Sequence, residues 1–453
     1  MSDFGEGSVT RAMLRQGIPM IAASLVNVLY NIVDRMYIAR IPLVGTDAMT
    51  GLGVCFPIIS FVSAFANLAG NGGAPLASIE RGAGNADKSR RIMGQSAFML
   101  LGFGVILTAV LLAFGRTLVA WFGASDNTIE YAHGYLSIYA LGTVALMAQL
   151  GLNPYITMQG FPKTAMLTTV VGAAANVALD PLFIYTFNMG VQGAALATII
   201  SQYIGAAWVL LFLCGKRAII RLDLKAMKPN FAIIKKIAAL GLSNFTMSLT
   251  ESAVQTVCNK MLLLYGGDIY IGAMTVVTSV RQVVMLPMNG FSQGSSPVLG
   301  FNYGAGKYER VRHGIRFVAI VCACYATLAW LALTTVPGAF VRLFSDDTDL
   351  IAIASGSIKI YFAAFFAMSM QMAGQYSYLA LGKAKQAIFF SLLRKAIIVV
   401  PLTLLLPRWF AVAGVFLAEP ISDIVGGGAC FATFMLTEWK KLGAKRGSAD
   451  INL

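Results

Sequence analysis

Between residues 17 and 436 the chain returns repeatedly to apolar stretches long enough to cross a lipid bilayer, with little polar sequence between them. Crossing as a helix takes about 20 residues. Twelve stretches qualify, at 17–39, 48–78, 92–114, 131–156, 164–186, 190–214, 234–264, 270–299, 314–336, 351–380, 386–406 and 410–436. Composition agrees: 57% of the 453 residues are hydrophobic and 12% charged, and the mean hydropathy is +0.73, outside the range of soluble globular chains. The expected fold is an all-α integral membrane protein with twelve transmembrane helices. The opening MSDFGEGSVTRAMLRQG is too polar for the front of a cleavable signal peptide, so the first stretch is expected to stay in the mature protein. Cys55, Cys214, Cys258, Cys322, Cys324 and Cys430 lie in or at the ends of apolar stretches, where they act as small hydrophobes rather than a disulfide framework or a metal site.

A net charge of +14 would suit nucleic acid, but the basic residues sort by side of the membrane, which is a topology signal. One set of connections holds Arg11, Arg15, Arg81, Lys88, Arg90, Arg91, Lys163 and the basic runs at 216–236, 307–316, 383–395 and 440–446. The other set holds only Arg40, Arg116, Arg342 and Arg408, beside the acids Asp126, Glu130, Asp346, Asp347 and Asp349. No nucleic-acid partner is expected. Both termini are expected in the cytoplasm, with the chain crossing the plasma (inner) membrane many times and acting as a monomer.

Set against itself at a shift of 221 to 224 residues, the chain matches in four places. Pro75, Gly82 and Gly84 fall on Pro297, Gly304 and Gly306; Gly160 and Lys163 fall on Gly382 and Lys385. GVQGAALATIIS, ending at Ser201, matches AVAGVFLAEPIS, ending at Ser422, and Gly17, Ser24 and Leu25 match Gly241, Ser248 and Leu249. Six spans per repeat is an even number, so both repeats enter the membrane in the same sense. That predicts two six-helix lobes related by a pseudo-two-fold axis along the membrane normal. The lobes are placed at 1–214 and 234–436, with a basic cytoplasmic linker at 215–233 and a cytoplasmic tail at 437–453. Two lobes around a central cavity suit alternating access in a secondary transporter, although duplicated bundles also serve as channels or receptors.

An ionisable side chain inside a bilayer is costly and is usually functional. Asp34 lies near the outer end of the first span, Asp180 near the outer end of the fifth, and Thr198 a little way into the sixth from the same side, so the three are expected at a common depth. Asn176, four residues before Asp180, shares its helix face. Pro181 has no N–H to give the carbonyl of Val177, so the fifth span is expected to bend there and bare a backbone oxygen. Two carboxylates, an amide, a hydroxyl and a freed carbonyl make a hard-cation site. Two adjacent acids in a desolvated pocket also suit a proton. A purely structural hydrogen-bond network is the alternative. The second repeat keeps no such set, since Asp34, Asn176 and Asp180 fall on Cys258, Ile398 and Leu402.

The strings PMNGFSQGSSPVLGFNYGAGKYERV, GNGGAPLASIERGAGNADKSRR and VDRMYIAR resemble the multidrug and toxic compound extrusion (MATE) family over nearly the whole chain. The resemblance implies a twelve-helix, two-lobed antiporter that exports organic cations and other amphipathic compounds, such as drugs and dyes, driven by inward movement of protons or sodium ions. It also implies a cation or proton site in the first lobe, at Asp34, Asn176, Asp180, Thr198 and the backbone of Ala194. A flippase or exporter of a lipid-linked or specific metabolite in the wider superfamily, or a channel-like protein, is the alternative.

For substrate, Asn27, Tyr30 and Asn31 share a face with Asp34, Tyr135 and Tyr139 lie one turn apart, and Gln202 follows Thr198 by a turn. Aromatic faces attract organic cations. Glu251, Arg281 and Asp423 in the second repeat are placed near mid-membrane, with Lys260, Lys359 and Glu419 closer to the outer face. Near-balanced opposite charges favour pairing as much as transport. Glu251 matches an acid that other branches of the family place on the seventh span, but the aspartate they often add on the tenth is missing from AMSMQMAGQYSYLALGK. No nucleophile motif, zinc motif or ATP-binding loop is present, so neither an enzyme nor a primary pump is expected, and no cofactor beyond the coupling ion.

Overall fold

The computed structural model describes residues 4–41, 45–344 and 347–449. Asp346 and the end of the tail at 450–453 lie outside them. Among the described residues every regular element is helical. The helices are α1 (Val9–Ala39), α2 (Gly45–Gly82), α3 (Ala86–Trp121), α4 (Ile129–Leu141), α5 (Thr143–Met158), α6 (Pro162–Pro181), α7 (Gly190–Cys214) and α8 (Phe231–Gly266). They continue with α9 (Asp268–Gly304), α10 (Tyr308–Thr335), α11 (Pro337–Val341), α12 (Thr348–Tyr361), α13 (Met368–Ala380), α14 (Ala384–Leu392), α15 (Val400–Leu405), α16 (Pro407–Phe434) and α17 (Lys440–Ala449).

Among the described residues nine helices are long and apolar enough to span a membrane, and two bent pairs bring the number to 11. The twelfth position belongs to α8, whose 36 residues reach about 54 Å at the helical rise but carry a polar middle from Asn244 to Gln255. The fourth and tenth spans are each a bent pair: α4 with α5 at 60° and the α12–α13 region at 48°. The first break falls at Gly142, where a Cβ would lie 2.5 Å from Ile199 Cγ2 and 2.6 Å from Gln202 Oε1, so α7 occupies the inside of the bend. Exposed side chains such as Val105, Ile106 and Phe114 on α3 and Ile320, Leu328 and Leu331 on α10 form faces that only lipid would cover.

Contacts divide the chain into two compact units, Ile18–Phe245 and Phe4–Gly17 with Thr246–Leu453. The division lies inside two helices: the start of α1 packs with the second unit and the first half of α8 with the first. Glycine makes both packings possible. A Cβ on Gly241 of α8 would sit 1.9 Å from the Leu68 carbonyl oxygen of α2, and one on Gly72 would sit 2.9 Å from Gly241 Cα. In the second unit a Cβ on Gly17 of α1 would sit 2.5 Å from the Phe291 ring, and one on Gly294 of α9 would sit 2.8 Å from Gly17 Cα. Gly17 and Gly241 are partners in the sequence repeat, so the same tight crossing is built once in each unit.

Other repeat glycines close helices. Gly84 and Gly306 follow α2 and α9 with φ of 79° and 72°, and Gly160 and Gly382 follow α5 and α13 with φ of 92° and 70°. In each case the next residue's N–H reaches back five residues, as from Asn85 to the Glu80 carbonyl at 2.9 Å and from Lys307 to Asn302 at 2.9 Å. Left-handed backbone at that position is what terminates a helix this way.

Candidate functional site

Asp180, the last residue but one of α6, is fully buried, with Asn176 1% and Asp34 9% exposed. Pro181 closes the helix, and Leu182–Thr186 then forms a π turn in which the Phe187 N–H donates to the Leu182 carbonyl at 3.0 Å. That turn carries Tyr185, whose hydroxyl donates to the Tyr37 carbonyl at 2.7 Å and so fastens α6 to α1 one turn from Asp34. The Asp34 and Asp180 carboxyl groups face each other.

The Asn176 amide donates to Asp180 Oδ1 at 3.3 Å and to Thr198 Oγ1 at 3.5 Å. Ala194 is fully buried one turn before Thr198 on α7. Three oxygens of this group, Asp34 Oδ1, Asn176 Oδ1 and Asp180 Oδ2, are buried with no hydrogen-bond partner among the described residues. Such acceptors cost free energy unless a proton or cation meets them. Neither acid has a basic ion-pair partner among the described residues; Arg35, next to Asp34, stacks instead over the Phe56 ring at 4.2 Å.

The residues expected to line a substrate cavity divide. Tyr135 and Tyr139 are each 3% exposed and stack at 6.0 Å, with their hydroxyls facing Thr198 and Gln202. Tyr135 also lies within electrostatic reach of Asp34. Asn27 and Asn31 bond to each other along α1, with the Asn31 amide 2.7 Å from the Asn27 carbonyl, and Asn27 is exposed while Tyr30 and Asn31 are half-buried.

In the second unit the charges pair differently from the expectation. Glu419 Oε1 accepts from Lys395 at 2.9 Å and Arg394 at 3.3 Å and is ion-paired with Arg281 Nη1 at 2.8 Å, and Arg394 also bonds Asp423. Glu251, Lys260 and Lys359 are exposed and form none of these pairs. Arg394 and Lys395, grouped above with the cytoplasmic basic residues, are buried at 4% and 2% exposure in a π segment, Leu393–Val399. The clue was in the eleventh span, since both lie eight or more residues inside 386–406.

The sequence model of the MatE family matches residues 19–182 and 245–405, and the chain belongs to that family of membrane transporters. Its members are not enzymes. The chain is 25% identical over 422 residues to the multidrug export protein MepA of Staphylococcus haemolyticus, covering 93% of this chain and 92% of the relative. MepA of Staphylococcus aureus strain MSSA476 is 24% identical over 420 residues, covering 93% and 92%. In structure, a MATE transporter in a bent conformation superposes with a TM-score of 0.90 at 21% identity, over 98% of both chains. An outward-facing multidrug resistance MATE transporter gives 0.89 at 21% identity, again over 98% of both. The fold is therefore the twelve-helix, two-lobed fold of these transporters.

Proposed function

We propose that the protein is a secondary active multidrug efflux transporter that exports organic cations and amphipathic compounds by antiport against protons or sodium ions. The coupling ion is assigned to Asp34, Asn176, Asp180, Thr198 and the Ala194 backbone. One observation carries this reading: two facing buried carboxyls and an amide leave three oxygens unpartnered, with no basic ion-pair partner for either acid, among the described residues. A sodium ion would find hard oxygen ligands there; a proton would bridge two acids that cannot both stay ionised at contact. Either occupant changes the charge of the lobe, so binding couples to the side from which the site is open. The names of the relatives, multidrug export proteins, support the cargo class.

Asn27, Tyr30, Asn31, Tyr135, Tyr139 and Gln202 are assigned to the substrate path beside this site, Tyr135 and Tyr139 through the groups they hold. The protein is read as a monomer in the plasma membrane with both termini cytoplasmic, the side on which the basic connections gather. Purified protein in liposomes, loaded with a fluorescent cationic dye, tests the mechanism. An imposed sodium or proton gradient is expected to drive dye movement, and a response to neither gradient overturns antiport.

A further inference from the structure

At the start of α10, on the side assigned above to the cytoplasm, lies a cavity of about 580 Å³ lined by Val9, Glu309, Arg310, Arg312, His313 and Arg316. Its basic side chains are not equivalent. Arg310 is engaged by the fold, donating to the Asn302 side chain and to the carbonyls of Phe4, Glu6 and Gly7. His313 Nε2 lies 3.3 Å from Thr10 Oγ1. Arg312 and Arg316, one turn apart, have their Cζ atoms 4.5 and 5.2 Å from the centre of the Trp439 ring. Neither enters an ion pair or a hydrogen bond among the described residues, and Arg312 Nε is buried with no partner there. Stacking holds a guanidinium by its face and leaves its N–H edge unengaged, and that edge matches the oxygens of a phosphate. Two such edges open on a cavity whose lining holds a single acid, Glu309.

The continuation of the same helix face shows what else the ligand must carry. Beyond Arg316, α10 presents Ile320 at 60% exposure, the exposed Cys324 and Leu331 at 51%. The apolar stripe begins one turn, about 6 Å, from Arg316. A free phosphate ion would gain nothing from that stripe, whereas acyl chains would lie along it while a headgroup sits in the cavity. Trp439 marks the boundary, since indole rings gather where a bilayer meets water, and basic pockets on the cytoplasmic side suit anionic headgroups.

We propose that this cavity binds the phosphodiester headgroup of an anionic phospholipid, with Arg312 and Arg316 holding its oxygens beside the Trp439 ring and the acyl chains lying along Ile320, Cys324 and Leu331. The site stands apart from the efflux reading, because no residue assigned to the ion site or the substrate path takes part in it.

The test titrates full-length protein in an uncharged detergent with dioleoylphosphatidylglycerol, with dioleoylphosphatidylcholine, whose headgroup has no net charge, and with glycerol 3-phosphate. The rise in melting temperature with concentration measures binding of each. The wild type is expected to bind phosphatidylglycerol roughly tenfold or more tightly than phosphatidylcholine, the scale of charge-assisted hydrogen bonds. Arg312→Gln with Arg316→Gln is expected to bind the two lipids about equally. Lys235→Gln with Lys236→Gln removes the same charge from exposed positions of α8 outside the lining and is expected to keep the preference. Arg312→Lys with Arg316→Lys keeps the charge without the fork and is expected to fall between, which supplies a second reading if the glutamine pair is unstable. Equal binding of both lipids by the wild type, a preference that survives in the arginine-to-glutamine pair, or one lost equally in the Lys235 and Lys236 variant overturns the site. Glycerol 3-phosphate that stabilises the wild type as well as phosphatidylglycerol does would assign the cavity to a soluble phosphate and overturn the lipid.

Discussion

At the scale of single residues, the two lobes handle buried charge in opposite ways. The first leaves Asp34 and Asp180 without a basic ion-pair partner among the described residues, whereas the second surrounds Glu419 with three. The consequences of substitution should differ accordingly. Asp180→Asn is nearly isosteric, keeps an acceptor for the Asn176 amide and removes a charge the fold does not neutralise. It is expected to leave the amount of folded protein unchanged while dye efflux from cells drops to that of cells lacking the protein. Efflux at the wild-type rate would exclude Asp180 from ion coupling. Glu419→Gln does the reverse: it keeps an acceptor oxygen but strips three cations of their shared negative charge. Breaking a buried ion pair from one side costs about 3–5 kcal/mol, to be read as a marked fall in melting temperature of the detergent-solubilised protein.

At the scale of elements, small residues decide which helices touch. The α2–α8 crossing leaves no room for a Cβ on Gly241, while nothing lies within 4 Å of one on Gly102 of α3. Gly241→Ala is expected to destabilise by about 1–3 kcal/mol through overpacking against main chain. Gly102→Ala should be neutral or stabilising, because alanine favours a helix interior by about 0.5–1 kcal/mol. Thermal denaturation of the two variants side by side checks the contrast. The linker before α8 is likewise held by defined contacts. The Gln95 amide donates to the Ala226 and Lys228 carbonyls at 2.8 and 2.6 Å, and its oxygen accepts from the Asn230 N–H at 2.8 Å. In the second unit Asn302, Lys307 and Arg310 donate to the carbonyls of residues 4–7 ahead of α1. Gln95→Ala gives up three bonds, each with a net value of about 1 kcal/mol, and tryptic cleavage at Arg221 and Lys225 is expected to accelerate up to roughly a hundredfold. An unchanged cleavage rate would mean the linker is secured elsewhere.

At the scale of the whole molecule, the distribution of Lys and Arg predicts a topology. Epitope tags at either end should be detectable in intact cells only after the membrane is permeabilised. A tag accessible from outside would invert the assignment of sides and place the first-lobe acids near the cytoplasm.

The helical class, the repeat and the acids of the first lobe were legible in the chain because each depends on local sequence: span length, the spacing of helix-ending glycines, and the rarity of a carboxylate in lipid. Asp34, Asn176, Asp180 and Thr198 could be grouped by depth alone, since helical rise turns sequence distance into height. Lateral neighbours have no such ruler. Sequence alone could not show that Arg394 and Lys395 turn inward onto Glu419, that Glu251 stays outside their network, or that Tyr135 and Tyr139 face Thr198 and Gln202. It also could not show that α1 and α8 each contribute to both units. Those facts depend on how helices pack around one another, and tertiary packing fixed them by deciding which side chains share a low-dielectric interior and which glycines admit another backbone.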